Sequence, residues 1–382
     1  MTNGEHYNIM NKIIFDDVEI QKLLQSFYII PDYQREYVWE EKQVRQLLND
    51  IYDQFSSNSD GEYFLGTIVT CKHEDTNKYE VIDGQQRLIT LSLMLNSFRR
   101  LLKNHKQQVN HIEKLLNSVT SNPKGEAITS SILDIQYEGK EVLYDLYKLD
   151  LNEDIQFSLI EGKPGKTIHD AHETIEEFFR VQFTGLEQVS QLKHFSGYIL
   201  NNLKIIKIET PTLSTALKIF ETINERGIGL DGVDLLKNLL FMQIKRDDFE
   251  KLKIDWNKFK KSIQGGKIKE RPLRFLRYFI MANYSVEPDE KGSKIVREDN
   301  VYDWFAQSEQ KCNYKNNSFL FVRKIQENAS FYIDLMNNKF HGDRSLYLEN
   351  ISFLVGQASK QHYILLLSAM NLKQEQFSFF VN

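Results

Sequence analysis

The sequence predicts an α+β protein: a small mixed sheet with helices within residues 1–240, then a mainly α-helical domain, residues 241–382. In the first part, short apolar and β-branched runs end at turn signals, as strands do. In the second part, apolar residues recur at steps of three and four, as in amphipathic helices. Only 6 Pro and 18 Gly occur among 382 residues, which favours long regular elements with few loops.

Four short stretches predict the strands of the sheet. Phe27–Ile30 is apolar and stops at Pro31. Tyr63–Thr70 is continuously apolar, which is typical of a strand buried on both faces. A polar turn separates it from Tyr79–Ile82, so these two stretches are expected to form a hairpin. Leu203–Glu209 alternates apolar and polar residues and is expected to return to the same sheet.

Helices are predicted between these strands from apolar residues on one side. The two clearest stripes are Val44, Leu47, Leu48 and Ile51 in a helix from Glu40 to Phe55, and Leu88, Leu91, Leu95, Phe98 and Leu102 in a helix that ends near Lys103. Residues 167–183, 187–203 and 215–224 also follow helical patterns, whereas the polar stretch Asn117–Ala127 is expected to be a loop.

The junction between the Tyr79 strand and the next helix carries the sequence Asp-Gly-Gln-Gln-Arg, residues 83–87. Asp83 is expected to cap the helix, and Gly84 to supply a φ that other residues resist. A helix N-terminus with Gln85, Gln86 and Arg87 in its first turn suits a phosphate group, and Asp83 could hold a divalent metal. The alternative is ordinary capping followed by a solvated first turn.

Two further stretches combine polar groups with turns. The first, IPDYQREYVW, places Tyr33, Gln34 and Arg35 among aromatic residues, a mixture that suits a base or a sugar-phosphate backbone. The second, Ile219–Phe241, reads as two helices joined by a glycine-rich turn, and it carries Asn224, Arg226 and Lys237. Packing of the aromatic rings and a purely structural helix corner are the alternatives.

These three stretches, in this order, resemble the signatures of the GmrSD-type restriction endonuclease N-terminal family, whose core is similar to ParB and sulfiredoxin. The resemblance runs from about Ile13 to Asn283 and makes residues 1–240 a ParB/sulfiredoxin-like α/β domain with a helical insertion. It implies a role in defence against foreign DNA, with DNA as a partner and with binding and hydrolysis of GTP or ATP with Mg²⁺.

Carried onto this chain, the resemblance assigns a role to each matching residue. The expected catalytic residues are Asp83, which orients metal or water, Gln85 and Gln86, which position water or phosphate, and Arg87, which binds phosphate. The expected nucleotide or DNA contacts are Tyr33, Gln34, Arg35, Gly84, Asn224, Arg226 and Lys237. Many family members continue into a nuclease domain; here that domain is expected to lie outside this chain, to be a separate subunit, or to be absent.

A basic stretch, KIKERPLRFLRYF, offers Arg271, Arg274 and Arg277 as contacts to the DNA backbone. A solvated helix face is the alternative, because most charge runs are solvated. The net charge of −5 requires any nucleic-acid contact to come from such a local patch. A non-catalytic DNA-binding or regulatory module is therefore the second function hypothesis.

Three weaker patterns are set aside. GKPGKT, residues 162–167, lacks the glycine spacing of a phosphate-binding loop, and Thr167 is expected to cap a helix instead. His169 and His172 are expected at the surface, because no third metal ligand accompanies them. A metal-dependent nuclease site is only weakly indicated by Asp154, Glu161 and Lys163. A nuclease domain is the third and weakest function hypothesis.

Composition bounds the remaining options. The two cysteines, Cys71 and Cys312, are far apart and predict neither a zinc site nor a disulfide framework. The polar N-terminus does not resemble a signal peptide, and no apolar run approaches the length of a membrane span. A cytoplasmic protein without membrane contact is expected, and homo-oligomers are compatible with the sequence.

Overall fold

The computed structural model describes residues 12–73, 76–121, 124–149, 160, 162–224, 232–245, 248–265, 270–288, 295–345, 348–349 and 360–381. Internal contacts divide the chain into two compact units, Met1–Glu225 and Arg226–Asn382. The domain boundary predicted at residue 240 lies later than this division and stays a prediction.

The first unit alternates strands with helices. Its strands are β1 Ile14–Glu19, β2 Tyr28–Ile30, β3 Tyr63–Lys72, β4 Tyr79–Asp83, β5 Asn117–Ser121, β6 Ala127–Ser131, β7 Leu133–Ile135 and β8 Leu203–Thr210. Its helices are α1 Ile20–Leu23, α2 Glu41–Ser57, α3 Gln85–Asn104, α4 Asn110–Leu116, α5 Lys140–Lys148, α6 Lys163–Gln182, α7 Gln188–Asn201 and α8 Leu213–Asn224.

Six of these strands form one mixed sheet in the order β1-β8-β3-β4-β2-β7. β3 and β4 are antiparallel, which confirms the predicted hairpin. β8 runs parallel to β3 and antiparallel to β1, so the chain does return to this sheet at Leu203. β4, β2 and β7 are parallel neighbours, with Tyr28 opposite both Tyr79 and Leu133. The predicted class, a mixed sheet followed by a mainly helical region, is confirmed.

Helix α3 lies in the core of the first unit, where it contacts α4, α5, α6 and α7. The predicted stripe from Leu88 to Leu102 is buried, and so are the polar residues between its members, among them Asn96, Arg99 and Arg100. Polar groups of this kind are stable inside a protein when they are hydrogen-bonded. The Nδ2 of Asn96 donates to the carbonyl of Leu146 at 3.1 Å, and the Nε of Arg99 donates to Asn96 at 3.0 Å.

The predicted loop Asn117–Ala127 is wrong over its first residues, because Asn117–Ser121 is β5 and pairs with β6. The register runs from Asn117 opposite Ser131 to Ser121 opposite Ala127. β-Branched residues such as Val119 and Thr129 favour an extended backbone even in a polar stretch. The serines and asparagine of this segment concealed that preference in the sequence.

The second unit is mainly helical. Its elements are α9 Gly232–Phe241, α10 Phe249–Gln264, α11 Pro272–Asn283, α12 Val301–Gln307, α13 Glu309–Cys312, α14 Ser318–Met336, β9 Lys339–Phe340, β10 Asp343–Arg344, α15 His362–Ser368 and α16 Gln374–Val381. α10 and α11 both pack against α14 around Trp256, Phe259, Phe275 and Tyr332. Across the described parts of the chain, no helix combines the length and apolar character needed to cross a membrane.

Candidate functional site

The strand-to-helix junction is built around Gly84. This residue adopts a left-handed conformation, with φ of 88°, and stands at the N-cap of α3. A Cβ atom here would lie 3.0 Å from the carbonyl oxygen of Thr67 and 3.2 Å from the Cα of Ile68. Only glycine therefore lets β4 turn into α3 this close to β3. The expectation that Asp83 caps the helix is wrong, because Asp83 is the last residue of β4.

Asp83 and Arg87 face each other at this junction. The Nη2 of Arg87 lies 4.0 Å from the Oδ2 of Asp83, and their side chains are 22% and 23% exposed. The Nη1 of Arg87 donates to the carbonyl of Leu65 in β3 at 3.0 Å. The guanidinium is thus anchored to the sheet on one side and borders the carboxylate on the other.

Gly66 makes room for this guanidinium. It has φ of +118°, and the register between β3 and β8 shifts between Phe64 and Gly66. A Cβ atom at Gly66 would lie 1.9 Å from the Nη1 of Arg87. Gly66 is not among the predicted site residues, although a lone glycine inside an apolar strand is a known sign of a bulge or a close approach.

Burial dominates the electrostatics of the junction. Burial raises the pKa of Asp83, and this outweighs the opposing effects of Arg87, the Gly84 amide and Arg35. Burial likewise lowers the pKa of Arg87, with Asp83 acting in the opposite direction. The guanidinium groups of Arg35 and Arg87 both favour the charged form of the Asp83 carboxylate. Together they do not fully offset the cost of burying that charge.

The two glutamines of the junction hold the IPDYQREYVW segment. The Nε2 of Gln85 donates to the carbonyl of Arg35 at 2.7 Å, and the Nε2 of Gln86 donates to the carbonyl of Glu36 at 3.0 Å. The Oε1 of Gln86 accepts from the backbone N–H groups of Val38 at 2.9 Å and Trp39 at 3.3 Å. We call this set of four hydrogen bonds the glutamine clasp. It joins two motifs that are about 50 residues apart in sequence.

Within the clasped segment, most side chains point inward. Tyr33, Gln34 and Tyr37 are buried, and the hydroxyl of Tyr37 lies 2.8 Å from that of Thr90. Arg35 is half-buried, and its guanidinium forms no hydrogen bond with the described residues. Tyr33 and Gln34 are enclosed in this arrangement, so their assignment as ligand contacts stays a prediction, whereas Arg35 is open to a ligand.

Two buried polar atoms beside the clasp lack partners among the described residues. They are the Oε1 of Gln85 and the Nε2 of Gln34. A buried polar atom without a partner costs about 1–3 kcal/mol, so native proteins contain few. Both atoms belong to residues predicted to bind nucleotide or to act in catalysis.

The third predicted stretch is only partly described. Asn224 is the last residue of α8, which packs against β3, β4 and β8. Arg226 and the glycine-rich turn lie outside the described residues. Lys237 is in α9 of the second unit, with its Nζ 5.7 Å from the centroid of the Phe241 ring. The proposed approach of these residues to the junction stays a prediction.

The basic stretch lies in and before α11, where two of its three predicted DNA contacts are already in ion pairs. The Nη2 of Arg271 is 3.0 Å from Glu298, and Arg274 contacts both Glu298 at 3.3 Å and buried Glu270 at 3.2 Å. A DNA phosphate would have to compete with these carboxylates. Arg277 lies over the Tyr278 ring at 5.7 Å and forms no ion pair within the described part of the chain.

The weaker patterns resolve differently from expectation. His169 and His172 are buried rather than at the surface, and the Nε2 of His172 lies 3.2 Å from the Nδ2 of Asn96. Thr167 is not a cap, because α6 already begins at Lys163. Asp154 and Glu161 lie outside the described residues. No cluster of three or more potential metal ligands occurs among the residues that are described.

Comparison with known protein families gives the same family as the three motifs. The family model described as GmrSD restriction endonuclease, N-terminal domain, matches residues 12–241, whereas the resemblance inferred from the sequence ran on to Asn283. No curated protein matches the chain. Because the family match covers more than half of the 382 residues, the chain belongs to the GmrSD restriction endonuclease N-terminal domain family and is a component of a restriction system of the phage-defence type.

Proposed function

We propose that the junction at Asp83 binds the phosphates of a nucleoside triphosphate, and that the chain hydrolyses this nucleotide as part of its restriction system. The observation that carries the proposal is the Arg87 guanidinium 4.0 Å from the Asp83 carboxylate at the start of α3, where Arg35 also acts on the pKa of Asp83. The N-terminus of a 20-residue helix adds free amides and a partial positive charge.

The two arginines have different tasks in this proposal. Arg87 is fixed by the Leu65 carbonyl and orients one side of the site. Arg35 has no competing hydrogen bond in the described structure and is the group that meets an incoming phosphate. A guanidinium fork matches the geometry of phosphate oxygens, which favours Arg35 for this contact.

Asp83 fits a Mg²⁺ ion only in company with the nucleotide. Mg²⁺ is commonly held by one or two carboxylates together with substrate phosphates and water, and Asp83 supplies one carboxylate. The ion would neutralise phosphate charge. Gln86 acts as a positioning residue, because the clasp occupies both ends of its amide. Gln85 keeps one amide oxygen for water or phosphate.

Hydrolysis of GTP and ATP in the presence of Mg²⁺ tests the proposal. Asp83→Asn and Arg35→Gln should each lower kcat/KM on the order of a hundredfold, as expected for loss of a charged contact in the transition state. Asp53→Asn and Arg297→Gln change the same residue types at exposed positions and should retain the wild-type rate. Equal rates in all folded variants would remove the catalytic assignment.

A non-catalytic DNA-binding role is the second candidate, and Arg277 is the observation that favours it. Of the three predicted backbone contacts it is the one without an ion pair among the described residues. Binding to duplex DNA, measured at several salt concentrations, should weaken in Arg277→Gln, with the slope of log K against log salt reduced by about one. Arg297→Gln serves as the matched control. An unchanged slope would exclude this contact. In either role, cleavage is assigned to a nuclease domain or subunit.

A further inference from the structure

A cavity of about 370 Å³ opens at the other end of β4, beside Lys78. Its walls come from Asp134 in β7, from Tyr144 and Lys148 in α5, and from the β5–β6 hairpin. β4 runs from Tyr79 to Asp83, so the cavity and the Asp83 junction are separated by the length of this strand, roughly 17 Å. The volume lies within the range of small-molecule sites.

The lining of the cavity is rich in unused polar groups. The hydroxyl of Thr129 and the side-chain amide of Asn117 lie on the same face of the β5–β6 ladder as Ser131 and form no hydrogen bond with the described residues. Ser131 accepts from the backbone N–H of Leu133 at 3.3 Å, which leaves its own hydroxyl proton to donate. Hydroxyl and amide protons collected on one wall suit a ligand with several acceptor oxygens.

The charges of the lining favour an anion. Lys78 and Lys148 outnumber the one carboxylate, that of Asp134. Asp134 is already engaged, because the Nζ of Lys78 lies 3.3 Å from its Oδ2 and the Tyr144 hydroxyl donates to its Oδ1 at 3.1 Å. Lys148 is 73% exposed and pairs with exposed Asp145 at 2.9 Å. Such surface pairs contribute little to stability, so Lys148 can exchange its partner for a ligand.

The walls are held in place without a ligand. The hydroxyl of Tyr147 is hydrogen-bonded to that of Ser92 in α3, and the neighbouring Leu146 carbonyl accepts from Asn96. The ladder between β5 and β6 fixes the opposite wall. A preformed site loses less conformational entropy when a ligand binds.

We propose that this cavity binds a small molecule that carries a phosphate group. It is a second ligand site, separate from the Asp83 junction and independent of whether a nucleotide binds there. The lysine ammonium groups meet the phosphate charge, and the hydroxyls of Thr129 and Ser131, on one face of β6, donate to its oxygens.

Titration calorimetry of the full chain with inorganic phosphate and with AMP tests the site. Lys148→Gln should weaken binding about tenfold, and Thr129→Tyr, which places a larger side chain on the cavity face of β6, should abolish it. Lys140→Gln makes the same charge change on an exposed residue of α5 that does not line the cavity, and it should bind as the wild type does. Thermal unfolding of each variant verifies that it is folded.

The Arg35→Gln variant separates this site from the Asp83 junction. Phosphate binding that survives in Arg35→Gln and weakens in Lys148→Gln supports the cavity. The proposal is overturned if the wild type shows no saturable binding of either compound up to millimolar concentrations. It is also overturned if Lys148→Gln and Lys140→Gln bind equally, or if binding disappears only in Arg35→Gln.

Discussion

Helix α3 carries two ion pairs of the same chemistry in different surroundings. At its first turn, Arg87 and Asp83 stand 4.0 Å apart with roughly a quarter of each side chain exposed. Near its middle, Arg100 lies 3.1 Å from Glu176 of α6, and both side chains are buried. Burial raises the pKa of both carboxylates. Charge and a shifted pKa therefore do not distinguish a ligand site from a structural pair.

The two pairs differ in the number of groups around the carboxylate and in its exposure to solvent. Besides Arg100, Glu176 has Arg180 at 2.6 Å and His172 at 3.7 Å, and burial of both Arg100 and Glu176 closes their pair to solvent. Asp83 has a longer contact, its side chain and that of Arg87 are about a quarter exposed, and Arg35 is half-buried. Incomplete pairing combined with access is what qualifies the first pair as a candidate site, whereas the second joins α3 to α6.

The largest loss of stability is expected from breaking the buried Arg100–Glu176 pair. Glu176→Ala removes the carboxylate that lies 3.1 Å from buried Arg100 and should lower the free energy of unfolding by about 3–5 kcal/mol. Urea denaturation measures the change. Glu177→Ala, at the adjacent exposed position, should change it by less than about 1 kcal/mol. Equal small losses in both variants would show that the buried pair is not structural.

The second largest effect is expected from a substitution in β3 that disturbs the Arg87–Asp83 pair. Gly66→Ala places a Cβ against the Arg87 guanidinium and strains a residue with φ of +118°. It should cost about 1–3 kcal/mol of stability and weaken nucleotide binding through the displaced arginine. Gly197→Ala, where a Cβ meets no atom within 4 Å, should have no such effect on binding. If Gly66→Ala binds the nucleotide as tightly as the wild type does, Arg87 does not contact the ligand.

The glutamine clasp provides a smaller and graded test. Gln86→Ala removes three hydrogen bonds to the clasped segment, whereas Gln85→Ala removes one. At about 0.5–1.5 kcal/mol per bond, Gln86→Ala should be the more destabilising variant. Hydrogen exchange of residues 35–39 should accelerate more in Gln86→Ala than in Gln85→Ala. The reverse order would mean that the clasp does not hold the segment.

The smallest effect concerns pH. The pKa of Asp83 is raised in the folded protein, so the native state binds more protons than the unfolded state between the two pKa values. Stability contributed by the protonated acid is therefore lost as pH rises through that interval. Relative to Asp83→Asn, the wild type should become less stable between pH 4 and neutrality. A stability difference independent of pH would show that Asp83 is not buried enough to titrate abnormally.

Local patterns were sufficient to predict much of the first unit. The hairpin of β3 and β4, the return of β8 and the apolar stripe of α3 follow from periodicity and turn residues. Periodicity does not reveal what covers the remaining faces of a helix. The stripe therefore did not predict that Asn96, Arg99 and Arg100 are buried as well.

For the site, the sequence indicated the junction but not its construction. Gln85 and Gln86 lie in the first turn of α3, as expected. Their side-chain amides, however, donate to backbone carbonyls about 50 residues away in sequence. Such contacts depend on tertiary structure and leave no pattern in the sequence. The same applies to Gly66, whose importance lies in the absence of a side chain beside Arg87.

The glutamine clasp reaches only main-chain atoms of the segment it holds, from the Arg35 carbonyl to the Trp39 amide. Main-chain atoms are common to nearly all amino acids. The exposed side chains at positions 36 and 38 can therefore diversify during evolution while the grip on the segment persists. A defence protein built in this way can change what it recognises by single substitutions without rebuilding the scaffold beneath.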